Sequence, residues 1–139
     1  MHPVHPMLVH APIACWALTP VCDALAIGLN QDAFWTIGAF LAVAGAVLGA
    51  LAATAGSLDF ERGHAAAPKI AIAHAVLMGG AWTFSAISAL GRLTSDYTVL
   101  APPHWWAIAA GVAALVLMAA GAWCGGELVY GRGVGVRRS

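Results

Sequence analysis

Charge is what this 139-residue sequence has least of. Only 9% of its residues are Asp, Glu, Lys or Arg, six acidic against six basic, where soluble domains carry about 25%. A chain so poor in charge cannot present a hydrated surface on every side. A formal net charge of zero excludes the basic excess of a nucleic-acid binder or a polybasic lipid switch. Cysteine is also scarce: Cys15, Cys22 and Cys124 lie inside apolar stretches and match no disulfide or zinc spacing. Their default role is that of small buried hydrophobes. A nucleophile motif, a phosphate loop and an HExxH helix are all absent, and no polar segment is long enough to build an active site outside the apolar stretches. The sequence thus argues against an ordinary hydrolase or transferase.

Apolar residues take up the balance, at 61% hydrophobic and a mean hydropathy of +0.83, against about 45–50% apolar in soluble domains. A bilayer core about 30 Å thick needs about 20 apolar residues per helix. The sequence supplies four such stretches, expected at 7–29, 34–58, 68–93 and 104–128. Between them lie Asn30-Gln31-Asp32, then Asp59 to His64, then Thr94 to Tyr97 with Pro102-Pro103. Connections this short make consecutive helices antiparallel neighbours. The expectation is an all-α integral membrane four-helix bundle, up-down-up-down, forming a single transmembrane domain over 1–139 with the lipid bilayer as its partner. No Lys or Arg precedes the first stretch and it exceeds the apolar length of a signal peptide, so it is expected to be retained.

Basic residues set the expected orientation, because flanks rich in Lys and Arg stay in the cytoplasm. Arg62, Lys69, Arg132, Arg137 and Arg138 fall on one side and only Arg92 on the other, which puts both termini in the cytoplasm. Gly45 with Gly49, and Gly121 with Gly125, form GxxxG spacings suited to close helix packing. Trp35, Trp105 and Trp106 fall at expected span ends, as in an aromatic belt. Trp16, Trp82 and Trp123 lie deeper, as linings of the bundle or of a bound group.

Histidine carries the chemical signal. His2, His5, His10, His64 and His74 gather toward the cytoplasmic side, and only His104 lies opposite. His10 and His74 each fall one to two turns inside their spans. His74 is six residues beyond Pro68, a favoured first helical position, which is about 9 Å deeper at 1.5 Å per residue. The depth of His10 depends on whether helix one begins at Pro12 or near Pro6. Ionisable groups within a membrane face the bundle interior and mark function. Two imidazoles at one level on different helices are what bis-His ligation of haem iron requires. The other reading is that they hydrogen-bond each other or a backbone carbonyl and fix helix packing. His5 and His64, nearer the surface, are lesser ligand candidates. His2, His5 and Met7 together suit copper, or form an interfacial anchor stiffened by Pro3 and Pro6. Asp23 is expected to snorkel toward the outer interface, with a proton path as the alternative. Asp59, Glu61 and Glu127 are either acceptors orienting histidines or solvated helix-end residues.

Two end segments are more specific still. The opening His2-Pro3-Val4-His5-Pro6-Met7-Leu8-Val9-His10-Ala11-Pro12-Ile13 and the closing 125–136 run, Gly125-Gly126-Glu127-Leu128-Val129-Tyr130-Gly131-Arg132-Gly133-Val134-Gly135-Val136, resemble the two signatures of a bacterial membrane family known as domain of unknown function 2231. Gly56-Ser57-Leu58-Asp59 is similar to that family's end of helix two, and Ala73-His74 to its helix-three histidine. The likeness runs the length of the chain and departs at Ala11, where the family often has an aromatic residue, so that a stacking contact beside His10 is either missing or taken over by Trp16. The resemblance implies a bacterial inner membrane location and points to His2, His5, His10 and His74. Relatives fused to Rieske or cytochrome c modules imply redox chemistry. The expected function is therefore a cytochrome-b-like electron carrier, not a stand-alone enzyme. It would bind haem b through His10 and His74, with His5 and His64 in reserve and Trp16 and Trp82 lining the group, and exchange electrons with a quinone or redox protein. The alternatives are a non-catalytic accessory subunit of a larger membrane complex and a copper- or zinc-handling protein with His10, His74, His2 and His5 as ligands.

Overall fold

A computed structural model describes residues 5–134, with the side chains of 58, 59, 61–64 and 66 outside that description. The first span, His5–Leu29, consists of α1 (His5–Leu8) and α2 (His10–Leu29). The seam at Val9 has a local cause, since Pro12 has no N–H to return to the carbonyl of Leu8. Val9 N still donates to His5 O at 3.2 Å and Ile13 N to Val9 O at 3.1 Å. The helix therefore starts at His5 and absorbs Pro12. Asn30 closes α2 in the left-handed region, at φ 52°, a conformation that Asn tolerates well.

The second helix, α3 (Ala33–Ala66), corrects the sequence reading, which ended it at Leu58 and made 59–64 a loop. The helix outlasts the apolar span Ala33–Ser57, because 59–66 holds neither a Pro nor an Asn and Glu, Arg and Ala favour helix. Pro68 stops it, by forcing Ala67 out of helical geometry to φ −154°. The same Pro68 begins α4 (Pro68–Leu90), and α5 (Trp105–Gly126) runs on into a π-helical turn, Glu127–Gly131. Between α4 and α5 the chain makes a small turn that pairs Leu93 with Val99.

All four spans are long and apolar enough to cross a membrane, and the chain is a multi-pass membrane protein. Phe40, Val47, Leu51, Val76, Leu90 and Val116 are exposed on its outside, as a lipid solvent allows. Helix α2 packs on α3, α3 on α4, α4 on α5, and α5 more lightly on α2. That cycle makes α2 and α4 diagonal, so they meet only through side chains that reach the bundle axis.

Diagonal contact requires small residues on the other diagonal. A methyl group on Gly45 would lie 2.6 Å from Trp16 Cδ1, and one on Gly49 2.6 Å from Trp16 Cζ2. The GxxxG of α3 is thus a slot for an indole and not a bare helix–helix contact. Trp16, 4% exposed, centres a core with Ala81 and Met118. Trp82 and Trp123 depart from expectation. Trp82 sits at the bundle margin with Nε1 donating to Ala46 O at 2.8 Å, and Trp123 is 82% exposed. Trp35, expected in the interfacial belt, is buried.

Candidate two-histidine site

Five residues separate His5 from His10, which places them about 140° apart around one helix. Only one can share the buried stripe of Pro12, Trp16, Thr19, Asp23 and Ala26. His5 is in register with that stripe and half-buried, whereas His10 is exposed. The partner that the structure gives His74 is therefore His5, a correction to the expected pairing with His10. Their ring centroids are 6.5 Å apart, with the planes at 83°.

Each ring is held in the same way. His5 Nδ1 donates to Ala52 O at 2.8 Å, and His74 Nδ1 donates to Gly121 O at 2.8 Å. A carbonyl only accepts, so both Nδ1 atoms carry a hydrogen, which leaves Nε2 as the acceptor atom of a neutral ring. Neither Nε2 has a hydrogen-bond partner among the described residues. A methyl on Gly56 would stand 2.9 Å from His5 Cε1, and one on Gly125 3.0 Å from His74 Cε1. Glycine is what lets each imidazole lie against its neighbouring helix. The carbonyl bond expected as a purely structural alternative is thus present, and it is also the bond that fixes the tautomer of metal-ligating histidines.

The parallel extends to sequence spacing. In both halves the acceptor lies 47 residues beyond the ring. The step along the chain that carries His5 to His74 also carries Ala52 to Gly121, Gly56 to Gly125, Thr19 to Ser88 and Asp23 to Arg92. Two helical hairpins, α1–α3 and α4–α5, thus carry corresponding residues at equal spacing along the bundle axis. Two of the corresponding pairs meet each other. One is His5 with His74. The other, at the opposite end, is Asp23 with Arg92.

Asp23 does not snorkel: it is 2% exposed, Arg92 is 0% exposed, and the two form a bidentate ion pair. Arg92 Nη1 donates to Asp23 Oδ1 at 2.7 Å and Nη2 to Oδ2 at 2.6 Å. Sequence reasoning missed the pair because it treated Arg92 only as an outer flanking charge. The repeated spacing from histidine to charge in each half was the available signal. Midway, a cavity of about 10 Å³ borders Trp16, Thr19, Ser85 and Ser88. That is a space about the size of one water, and Trp16 Nε1 is buried without a hydrogen-bond partner.

Of the remaining candidates, those among the described residues do not join the histidine pair. His2 lies outside the described residues, as do the side chains of Asp59, Glu61 and His64. Met7 is exposed, Glu127 pairs with Arg132 at 3.2 Å, and His104 stacks on Trp106 at 5.4 Å. Among the described residues no three His, Cys, Asp or Glu side chains converge as a metal cage. What the fold presents is a pair of imidazoles that meet edge to face.

That donor set suits a group bound from two sides. Two metal–nitrogen bonds of about 2 Å place the ligating atoms about 4 Å apart, and most of the remaining centroid separation is the half-width of two imidazole rings. Imidazoles held through Nδ1 are of the kind that can serve as axial ligands of haem iron. Small residues around them, Ala52, Gly56, Gly121 and Gly125, keep the flanks of the pair low. A family model described as "Predicted membrane protein (DUF2231)" matches residues 1–138. No curated protein and no solved structure matches the chain.

Proposed function

The chain belongs to the DUF2231 family of predicted membrane proteins, and within it we propose that this protein is a membrane electron carrier whose His5 and His74 bind haem b. The observation that carries this reading is the matched pinning of two adjacent imidazoles, each through Nδ1 to a backbone carbonyl. The two rings so held also lie against each other, with centroids 6.5 Å apart. The four-helix frame holds each ligand on its own hairpin, so neither depends on a mobile loop. Bound there, haem iron supplies a one-electron couple whose potential the histidines and the surrounding dielectric set. Ala52 O and Gly121 O orient the rings and raise the basicity of Nε2.

With both termini in the cytoplasm, as the basic flanks favour, the pair sits toward the cytoplasmic end of the bundle in a bacterial inner membrane. A quinone or a redox protein docking on that side is the electron partner of this reading. Purification in mild detergent followed by a visible spectrum tests it. A Soret band, with split α and β bands on reduction, is expected. A colourless preparation containing copper or zinc would replace haem transfer by metal handling. A colourless, metal-free protein obtained only with a partner complex would make it an accessory subunit.

A further inference from the structure

We infer that the buried Asp23–Arg92 ion pair is a register lock, and that its two residues are positioning residues for the two-histidine centre at the other end of the same helices. The inference rests on the reading that His5 and His74 form one centre.

The argument begins with spacing. Asp23 follows His5 by 18 residues and Arg92 follows His74 by 18, and at 3.6 residues per turn that is about five full turns. In the first span histidine and charge therefore lie on one stripe, about 27 Å apart at 1.5 Å per residue, while in the second hairpin Arg92 falls in the turn just beyond α4. Helices α2 and α4 are diagonal and not closely packed on each other. Ridges and grooves consequently set their relative height and rotation only through the shared neighbours α3 and α5, and side chains meeting on the axis are the direct link between the two.

Asp23 and Arg92 are built for that task. A planar guanidinium bonded through two nitrogens to both carboxylate oxygens fixes direction as well as distance, which a lysine would not. Arg92 Nε donates to Ser88 Oγ at 3.2 Å, and Ser88 Oγ donates to Ala107 O on α5 at 2.7 Å. The fork is therefore tied to a third helix. From α3 a methyl on Gly38 would lie 3.3 Å from Arg92 Nη1, and from α5 a methyl on Gly111 would lie 3.2 Å from Ser88 Oγ. The network is closed on all sides and leaves neither carboxylate oxygen nor guanidinium nitrogen unbound. It is thus ill suited to passing protons and well suited to holding one geometry. Opposite charges at these corresponding positions make the first hairpin pair with the second in a single alignment. Fixing register is the best-attested role of buried polar groups.

The test is cross-linking in the cofactor-free full chain. Cysteines replace His5 and His74, alanines replace Cys15, Cys22 and Cys124, and dibromobimane is the probe. With Asp23 and Arg92 intact, positions 5 and 74 are expected to link rapidly. Adding Asp23→Leu and Arg92→Leu together should keep the helical content while lowering the linking rate at least tenfold. Asp23→Glu, which keeps the charge but lengthens the arm, is a second arm for the case in which the leucine pair does not fold, and it should slow linking several-fold. An unchanged rate in the leucine pair, or in Asp23→Glu where the leucine pair does not fold, overturns the lock. Failure of 5 and 74 to link with the ion pair intact counts instead against the His5–His74 centre itself.

Discussion

Arg92 and Asp23 meet as a two-pronged ion pair across the diagonal of the bundle, both out of contact with the surroundings. Two charges so placed cost much to desolvate, and their mutual attraction offsets that cost only while both are present.

Removing one partner should therefore hurt far more than removing both. Asp23→Ala leaves a buried guanidinium unpaired and is expected to destabilise the fold by about 3–5 kcal/mol. Asp23→Leu with Arg92→Leu should stay within about 1 kcal/mol of the parent or exceed it. Unfolding in mixed detergent micelles, followed by circular dichroism, measures both. Equal losses in the single and double variants would contradict the network described for Arg92.

Glycine substitutions in α3 and α4 should separate sharply. Gly49→Leu pushes into the indole of Trp16, where even a methyl would stand 2.6 Å from Cζ2, and should cost about 1–3 kcal/mol as overpacking. Gly79→Ala meets nothing within 4 Å and, in a helix interior, should stabilise by about 0.5–1 kcal/mol. Tryptophan emission should shift in the first variant and stay put in the second. A neutral Gly49→Leu would mean that Trp16 is not wedged where the fold places it.

These contrasts bear on what the sequence made legible. Hydropathy located all four spans, and the depth of His74 followed from Pro68. His5 was harder. The sequence ranked histidines by depth, whereas the fold sorted them by azimuth, and five residues of helix separate His5 and His10 by more than a third of a turn. The end of α3 was misplaced because charged residues at 59–62 were read as loop, although helix propensity persists until Pro68. The Asp23–Arg92 pair went unseen because the correspondence between the hairpins is written in contacts, not in residue identity: Trp16 corresponds to Ser85 and Gly49 to Met118. One half fills the axis where the other makes room.

Orientation is expected to place the histidine pair on the cytoplasmic side, given Arg62, Lys69 and Arg132 at that end against Arg92 alone at the other. Alkaline phosphatase fused after Ser139 should be inactive, and a cytoplasmic fluorescent reporter at the same point should be bright. The reverse pattern would move the pair to the outer face and change the class of redox partner able to reach it.

The central claim is that His5, and not His10, serves with His74, and a reduced-minus-oxidised difference spectrum of single variants tests it most directly. His5→Ala and His74→Ala should each abolish the low-spin α band or lose the chromophore, since each removes one of two axial ligands. His10→Ala, altering an exposed ring on the other side of the helix, should leave the spectrum as it is in the parent. An unchanged α band in His5→Ala, or its loss in His10→Ala, would contradict the account.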